Sequence, residues 1–406
     1  MNRLAPTAMI STAVLLALSA PLAAEIHTIA PGEGAAERLQ EALILSAPGD
    51  EVVLDAGRFV LTDGLSLDVD GVTVRGAGSA LTVLDFTTQQ GAGEGLLVTA
   101  DNVTLRDFAV ENPKGDGIKS KGADNIVYYR IRVTWTGGPK AENGAYGIYP
   151  VESTGVLVSH SEVSGASDAG IYVGQSSKIT VRNSIVTDNV AGIEIENSRD
   201  AIVTRNYVTR NTGGILVFDL PGLPVMGGGN VLITNNLVVG NNTANFAPPG
   251  NIVAGVPRGT GIMVMANEQV WIEDNVVQDN PTAPFMVVAY TQTFDDARYN
   301  PFPREVVIAN NVVDDGANDP DFPGGAMLLA AFGGTLPPIM WDGLQQDADT
   351  PALLTIPGNP GWSLNLSHQG QSLAEAQPGP LDVPAYGQPW AMDGIGAPAE
   401  LEARLK

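Results

Sequence analysis

A glycine followed by an aliphatic residue returns along this chain at nearly constant intervals, and this repeat constrains the fold more than any other feature. Consecutive copies lie 22 or 23 residues apart, except for three gaps of 30, 31 and 47 residues. The underlying period is therefore 22 residues, and the longer gaps mark inserted loops. The copies are Gly64-Leu65, Gly95-Leu96, Gly117-Ile118, Gly147-Ile148, Gly170-Ile171, Gly192-Ile193, Gly214-Ile215 and Gly261-Ile262.

Each copy begins a short apolar run, and two more β-rich runs follow before the next copy. In the repeat that starts at Gly170, the second run is Ile179-Thr180-Val181 and the third is Ser184-Ile185-Val186. Three strands in 22 residues leave no room for a helix, so each repeat is predicted to be one triangular coil. Stacked coils would pair in parallel about 4.8 Å apart and bury a continuous core. Leucine-rich repeats and propeller blades are excluded by this spacing.

The first residues carry a different signal. Arg3 precedes the apolar stretch 10–18 and the small-residue segment 19–24, a pattern typical of a secretory signal peptide. We therefore expect a mature chain that begins near Glu25 and is periplasmic or secreted, with no membrane insertion, because no later segment is apolar over about 18 residues. The chain contains no cysteine, so packing alone must stabilise it.

The segments that flank the repeats predict the domain organisation. Residues 1–24 are assigned to the signal peptide, 25–62 to an N-terminal cap and first coil, 63–334 to the repeats, and 335–406 to a Pro/Gly-rich tail packed on the solenoid. The amphipathic pattern of 34–46 predicts a helix that covers the open end of the core, as solenoids require. The glycine anchor fades after Gly325-Ala326.

The charge balance limits the partners. Without the signal peptide, which contains Arg3 and no acidic residue, the chain has 20 basic and 45 acidic residues. Such an excess of negative charge makes nucleic acid an unsuitable ligand.

Side-chain alternation predicts which residues the first strand of each coil directs away from the core. The residue after each anchor's aliphatic residue, and the residue two further on, should point outward. The first outward column is Lys119, Tyr149, Tyr172, Glu194, Leu216 and Met263, and the second is Lys121, Val151, Gly174, Glu196, Phe218 and Met265. We expect this face to be exposed and graded from basic through aromatic and acidic to apolar.

The acidic and aromatic parts of this face are the candidate catalytic site. Glu194 and Glu196 lie two residues apart on one strand, a spacing that suits a retaining or an inverting glycosidase pair and equally a cation site. Tyr172 and Lys119 are the other candidate catalytic residues, because a tyrosine can act as base and a lysine can neutralise a uronate carboxylate. The candidate substrate-binding residues are Lys121, Tyr149, Asp116, Asp168, Asp219, Lys114 and Lys140.

The remaining features have structural interpretations. The inserted loops at 218–230 and 240–260 are expected to fold over the apolar end of the face, which would otherwise be left bare. Asparagines at two recurring turn positions predict stacked ladders; one set is Asn189, Asn211, Asn241 and Asn280, and the other is Asn183, Asn206, Asn235 and Asn310, with His160 and Asp274 at the same position. No metal ligand set is identified, although the loop with Asp314, Asp315, Asp319 and Asp321 suits Ca²⁺.

The chain resembles right-handed parallel β-helix proteins of the pectate lyase and alginate epimerase type over roughly residues 30–330. The segments that carry the resemblance are 39–50 and the strand regions 144–150, 167–175, 191–197 and 213–219. The strand regions are most similar to exported parallel β-helix repeat proteins, whose genes tend to lie beside those of c-type cytochromes. The resemblance implies an all-β, right-handed, single-stranded parallel β-helix with an N-terminal capping helix.

The catalytic motifs of the characterised β-helix enzymes are absent from this sequence. It contains neither the Asp-Pro-His-Asp motif of mannuronan epimerases nor the Gly-His-Gly segment of polygalacturonases. Two functions therefore stay open. The chain either binds and processes a polysaccharide or oligosaccharide, as a lyase, epimerase or hydrolase, or it is a non-catalytic periplasmic scaffold for a protein partner such as a cytochrome. The partner would dock on the acidic surface or on the apolar end of the face.

Overall fold

A computed structural model describes residues 24–91, 93–314, 316–355, 360–372, 375–386 and 396–406. The predicted signal peptide lies outside the described residues except for its last residue, Ala24. Within these ranges the chain forms three sheets and passes through each of them once per coil.

Sheet 1 contains the strands that follow the glycine anchors, and sheets 2 and 3 contain the second and third strands of each coil. Sheet 1 comprises β4 (Leu65–Leu67), β7 (Leu96–Val98), β10 (Ile118–Lys121), β13 (Tyr146–Val151), β16 (Ala169–Gly174), β19 (Ala191–Glu196), β22 (Gly213–Phe218), β25 (Thr260–Met265), β28 (Ala283–Val288), β31 (Ile339–Trp341), β33 (Gly361–Ser363) and β34 (Gly379–Pro380). Sheet 2 comprises β1 (Ile26–Ile29), β2 (Glu51–Leu54), β5 (Thr73–Arg75), β8 (Thr104–Arg106), β11 (Ile126–Tyr129), β14 (Thr154–Ser159), β17 (Ser177–Arg182), β20 (Arg199–Thr204), β23 (Gly229–Thr234), β26 (Glu268–Glu273), β29 (Arg304–Ala309) and β32 (Leu353–Thr355). Sheet 3 comprises β3 (Gly57–Val60), β6 (Thr82–Asp85), β9 (Ala109–Glu111), β12 (Arg132–Thr134), β15 (Glu162–Ser164), β18 (Ile185–Thr187), β21 (Tyr207–Thr209), β24 (Leu237–Val239), β27 (Val276–Gln278) and β30 (Val312–Val313).

The helices are short and lie outside the coils. They are α1 (Ala35–Leu45), a 3₁₀ turn at Ile252–Gly255, α2 (Gly325–Ala331) and α3 (Ala399–Ala403). The predicted capping helix is confirmed as α1, which buries Leu39 and Leu43 against the first coil. No helix in the described ranges is both long and apolar enough to cross a membrane.

The anchor glycines are required because the chain approaches its neighbours closely at that corner of each coil. A Cβ atom on Gly192 would lie 2.5 Å from Cγ1 of Val208 and 2.6 Å from the carbonyl oxygen of Gly214 in the next coil. Both contacts are far inside van der Waals distance, so a larger residue would force the coils apart. The period seen in the sequence therefore marks a packing constraint.

The aliphatic residues of the anchors line the interior in register. Ile171 pairs with Ile193, and Ile193 with Ile215, in adjacent strands of sheet 1. All three are fully buried in one core that runs the length of the stack. Burial of such side chains contributes about 1.5–3 kcal/mol each, so the core supplies the stability that disulfides would otherwise provide.

Buried asparagines form a ladder at the turn between sheets 3 and 1. Asn189 donates through Nδ2 to Oδ1 of Asn211 at 3.0 Å, Asn211 donates to Asn241 at 3.0 Å, and Asn241 donates to Asn280 at 3.2 Å. The same amides also bond to backbone groups of their own and neighbouring coils. The predicted ladder at this position is confirmed.

The second predicted ladder includes Asn206 as expected, but its other asparagines lie one residue after the predicted positions. Asn206 donates to Asn236 at 3.0 Å, Asn236 to Asn275 at 3.0 Å, and Asn275 to Asn311 at 3.0 Å. In earlier coils Ser161 and Ser184 occupy the ladder position. The residue before the ladder position has left-handed backbone and lies at the turn surface. This preceding residue is His160, Asn183, Asn235, Asp274 or Asn310 in different coils, with φ between 50° and 57°. The prediction merged two adjacent positions, because left-handed backbone and ladder bonding both favour asparagine.

The C-terminal part of the chain adds strands and returns to the middle of the solenoid. Gly325 begins α2 and is not a further anchor, while β31 and β33 extend sheet 1 beyond residue 334. The final helix α3 lies on the outer face of sheet 2, where Leu401 packs against Val127 and Leu157. Its Glu402 accepts two hydrogen bonds from Arg182, at 2.6 and 2.7 Å.

Candidate functional site

The two predicted outward columns are aligned on sheet 1. Lys119 pairs with Tyr149 in the next strand, Tyr172 pairs with Glu194, and Glu194 pairs with Leu216. In the second column, Gly174 pairs with Glu196. The side chains lie outside the central core, which confirms the predicted register.

The expectation that this whole face is exposed is wrong. Tyr172 is 4% exposed, Glu194 is 1% exposed and Glu196 is 6% exposed. The inserted loops cover the face, and Leu220, Val253 and other loop residues join it in a second buried cluster. The predicted covering of the apolar end by the loops at 218–230 and 240–260 is confirmed, but the cover extends over the acidic part as well.

Exposure decreases along the face in one direction. The side chain of Lys121 is 57% exposed, Tyr149 is half-buried, and Leu216 is fully buried. The face is therefore more open on the side of β10 and β13, while the loops close the opposite side.

Three tyrosines pack against one another beside the acidic residues. The ring centres of Tyr146 and Tyr149 are 4.5 Å apart, those of Tyr146 and Tyr172 are 4.6 Å apart, and those of Tyr149 and Tyr172 are 4.8 Å apart. We call Asp168, Glu194, Glu196 and these three tyrosines the carboxylate–tyrosine cluster. Tilted and edge-to-face contacts of this kind fix the rings in place.

A glycine allows Tyr172 to reach the next coil. A Cβ atom on Gly174 would lie 2.4 Å from the hydroxyl oxygen of Tyr172, so the ring lies directly over this residue. From there the hydroxyl donates a hydrogen bond to Glu196, the neighbour of Gly174 in the adjacent strand. The glycine in the outward column thus has a specific role in the site.

Two carboxylate oxygens of the cluster are buried without a hydrogen-bond partner. They are Oε1 of Glu194 and Oδ1 of Asp168. Oδ2 of Asp168 accepts a hydrogen bond of 3.4 Å from Asn251, in the loop at 240–260. A buried polar atom without a partner costs about 1–3 kcal/mol, so these acceptors are suited to bind donors of a ligand.

Burial changes the acid–base behaviour of the cluster. Loss of solvation, reinforced by the charge of Glu196, raises the pKa of Asp168 to about 7. Loss of solvation also raises the pKa of Glu196 to about 7, against the hydrogen bond from Tyr172 that lowers it. The pKa of Glu194 is raised well above its ordinary value by burial and by the charges of Asp168 and Glu196. Near neutral pH the cluster therefore contains both protonated and ionised carboxyl groups.

Lys119 lies at the open side of the cluster and is already paired. Its Nζ is 3.2 Å from Oε1 of Glu94 and 3.7 Å from Oδ2 of Asp116, and it lies 4.8 Å from the ring centre of Tyr149. Burial raises the pKa of Asp116 to about 6, although Lys119 opposes this shift. The positive charge of Lys119 is therefore already paired with the carboxylates of Glu94 and Asp116.

The other predicted binding residues are dispersed. Lys121 pairs with Glu152 at 3.7 Å, and the exposed Lys114 donates to the carbonyl oxygen of Gln90. Lys140 is exposed in the loop between β12 and β13. Within the described ranges, neither Lys114 nor Lys140 forms an ion pair with the cluster.

Asp219 lies one coil beyond Glu196 and has both oxygens occupied. Oδ2 accepts a bond of 2.7 Å from the backbone N–H of Gly228, and Oδ1 accepts one of 2.8 Å from Asn267. Burial raises its pKa to about 6. This carboxyl group fixes the loop that follows β22.

The loop considered for Ca²⁺ has a different partner. Asp319 accepts a hydrogen bond of 2.7 Å from Arg258, and Asp321 lies 3.6 Å from the same guanidinium group, while Asp315 lies outside the described residues. In the part of the chain that the structure describes, no three Asp, Glu, His or Cys side chains are arranged to hold a metal ion.

Three residues of the site are not predicted from the sequence. Tyr146 lies three residues before Tyr149, where strict alternation predicts an inward side chain, yet its ring packs against Tyr149 and Tyr172 on this face. Glu94 and Asn251 come from loops, and nothing in the 22-residue period indicates where these loops fold.

The raised pKa values predict an unusual dependence of stability on pH. A carboxyl group with a raised pKa binds its proton more tightly in the folded chain, so between about pH 4 and 7 folding takes up protons and stability falls as pH rises. We expect the protein to be more stable at pH 5 than at pH 8 by roughly 2 kcal/mol or more, at about 1.4 kcal/mol per pKa unit. The groups with pKa values raised to about 6 or 7 are Asp116, Asp168, Glu196, Asp219 and Asp342.

Thermal unfolding followed by circular dichroism at the two pH values measures this difference. The triple variant Asp168→Asn, Glu194→Gln, Glu196→Gln should show a smaller difference than the natural chain. A higher midpoint at pH 8 would contradict the prediction. Carboxyl groups with lowered pKa values lose their contribution only below about pH 4 and do not affect this window; they include Asp50, Asp85, Asp107 and Glu268.

Comparisons with known proteins identify the fold. A family model described as a right handed beta helix region matches residues 70–222. A GH87 alpha-1,3-glucanase catalytic unit from Streptomyces thermodiastaticus is 16% identical with a TM-score of 0.50, over 82% of this chain and 56% of that chain. A mannuronan C-5 epimerase A-module from Azotobacter vinelandii is 16% identical with a TM-score of 0.49, over 79% of this chain and 90% of that chain.

An alginate lyase from Paenibacillus is also similar, with 15% identity and a TM-score of 0.42, over 82% of this chain and 93% of that chain. None of the curated proteins compared with the chain matches it in sequence. The predicted all-β, right-handed parallel β-helix is confirmed. At these identities the likeness extends to the fold alone.

Proposed function

We propose that this protein binds a glycan at the carboxylate–tyrosine cluster and cleaves it by acid–base catalysis of the hydrolase type. The observation that carries the proposal is that Asp168, Glu194 and Glu196 are buried in one cluster, on a face whose side toward β10 is more exposed. Glycoside hydrolysis requires one carboxyl group that donates a proton and one carboxylate that acts as nucleophile or base. Two groups with pKa values of about 7 can supply both forms at neutral pH.

The roles follow from the environments of the two groups. Glu196, which Tyr172 holds in place, is suited to donate a proton to the leaving oxygen. Asp168, with an unpaired oxygen, is suited to act on the anomeric carbon or on a water molecule. The half-buried rings of Tyr146 and Tyr149 offer flat surfaces on which sugar rings stack.

The cluster supports hydrolysis better than lyase or epimerase chemistry. Removal of the α-proton of a uronate requires a cation that neutralises its carboxylate, and Lys119 is the nearest candidate. Because Glu94 and Asp116 already pair with it, it is poorly suited to this role.

Turnover of defined glycans tests the proposal. The mature chain should release reducing ends from at least one polysaccharide without forming the unsaturated uronate that a lyase produces. A chain that is inert across neutral, amino and acidic glycans would overturn the proposal, and so would unsaturated products. The exported location predicted from residues 1–24 stays part of this proposal, and immunodetection of the protein in cell fractions tests it.

Docking of a protein partner on the apolar end of the face is not supported. Leu216 and Phe218 are buried under the loops and present no surface to a partner. Docking on the acidic surface stays a prediction, and salt-sensitive co-purification with a basic protein tests it.

A further inference from the structure

We propose that the carboxylate–tyrosine cluster selects sugars that carry a free amino group, bound as an ammonium ion, over neutral and uronate sugars. This inference rests on the proposed function, because it names the substrate class of the same site. Three features of the described residues support it: the charges around the cluster, its unpartnered acceptors, and its aromatic rings.

The charges around the cluster disfavour an anionic ligand. Asp168, Glu194 and Glu196 are joined by Glu94 and Asp116 at the open side, while Lys119 is shared between the last two. A uronate carboxylate would enter a partly dehydrated site beside several carboxylates, where Lys119 is already paired, and like charges repel strongly where water is excluded.

The unpartnered atoms of the cluster are acceptors. Oε1 of Glu194 and Oδ1 of Asp168 are buried without a partner, and when these groups are ionised a ligand that satisfies them must supply donors. An ammonium group has three donors and no acceptor, whereas a carboxylate has only acceptors. Hydrogen bonds from an ammonium group to a carboxylate are also roughly twice as strong as neutral ones.

The tyrosines can accept a cation. Nζ of Lys119 lies 4.8 Å from the ring centre of Tyr149, within the distance at which an ammonium ion is attracted to an aromatic face. Tyr146 and Tyr172 pack on the same ring next to the carboxylates. A metal ion fits less well, because in the described ranges these carboxylates do not converge as three ligands.

Binding of four monosaccharides to the full mature chain tests the inference without requiring knowledge of the glycosidic linkage. Glucosamine, glucose, N-acetylglucosamine and glucuronate differ in the group at C2 or C6, and tyrosine ring signals followed by NMR report occupancy. Near pH 7, where the cluster contains ionised carboxylates and the sugar amine is still largely protonated, glucosamine should bind about tenfold or more tightly than the other three, given the strength of charge-assisted hydrogen bonds.

Variants identify the groups responsible. The double variant Asp168→Asn, Glu194→Gln should lose the preference for glucosamine. Glu162→Gln makes the same chemical change at an exposed position on β15 and should retain it. Equal or tighter binding of glucuronate or glucose would overturn the inference, as would the absence of binding by all four sugars or a preference that the double variant retains.

The results separate this inference from the proposed function. Selective binding of glucosamine by a chain that cleaves no glycan would overturn the hydrolase proposal and leave the selectivity intact. Cleavage of a neutral or uronate glycan without preference for amino sugars would overturn the selectivity inference and leave the hydrolase proposal intact.

Discussion

Glu196→Gln is expected to lower turnover by about 10²- to 10⁴-fold, the usual contribution of a general acid–base group, while the β-helix stays folded. The amide has nearly the same shape and can still accept the hydrogen bond from Tyr172. It has no acidic proton, however, and so cannot act as the general acid that protonates a leaving group. The loss should appear in kcat on whichever glycan the natural chain cleaves, measured as release of reducing ends.

Although its activity should fall, the Glu196→Gln variant should be as stable as the natural chain or more stable at pH 8. Burial raises the pKa of Glu196 to about 7, so the ionised group destabilises the folded chain at pH 8, and a neutral amide removes that cost. We expect an unfolding midpoint at pH 8 that is equal to or above that of the natural chain. Glu162→Gln, at an exposed site, should alter neither property. Full activity in the Glu196→Gln variant would exclude this residue as the acid.

Asn211→Ala is expected to destabilise the protein by about 3–5 kcal/mol, since each buried polar group that loses its partner costs about 1–3 kcal/mol. Oδ1 of Asn211 accepts bonds from the backbone N–H and the side chain of Asn189, and its Nδ2 bonds to Asn241 and to two carbonyl oxygens. Substitution by alanine leaves several of these groups buried without a partner and also creates a void. Denaturant unfolding measures the loss.

Asn242→Ala is the matched control for this ladder variant. Asn242 is exposed and follows the ladder residue Asn241, and its side chain accepts a hydrogen bond from Arg258. We expect a change within about 0.5 kcal/mol, as for most surface substitutions. Similar losses in the two variants would mean that the ladder adds little to stability.

The repeat itself could be predicted in detail from the sequence, because the packing that requires glycine recurs in every coil. Gly192 lies close to the backbone of the next coil. Because such a glycine marks the same corner of each coil, its position in the sequence determines which residues of each strand point outward. That phase predicts the alignment of Tyr172 with Glu194. The order of side chains along the outer face followed from that phase alone.

Two aspects of the site could not be predicted from the period. The burial of Glu194 depends on where the inserted loops fold, and Asn251 reaches Asp168 from 83 residues further along the chain. The pairing of Lys119 with Glu94 likewise depends on a loop conformation. Such contacts are specific to single coils, so no repeated pattern indicates them.

The position of α3 has a consequence for the order in which the molecule is assembled. Arg182 receives Glu402 from 220 residues later in the chain, and Leu401 covers Val127 and Leu157 on the outside of sheet 2. During synthesis the coils can stack as they emerge, since domains form from the N-terminus onward, but α3 can pack on sheet 2 only after residues 399–403 have been synthesised. Until then Val127 and Leu157 stay exposed, and loss of residues 396–406 would leave this apolar patch open to other chains.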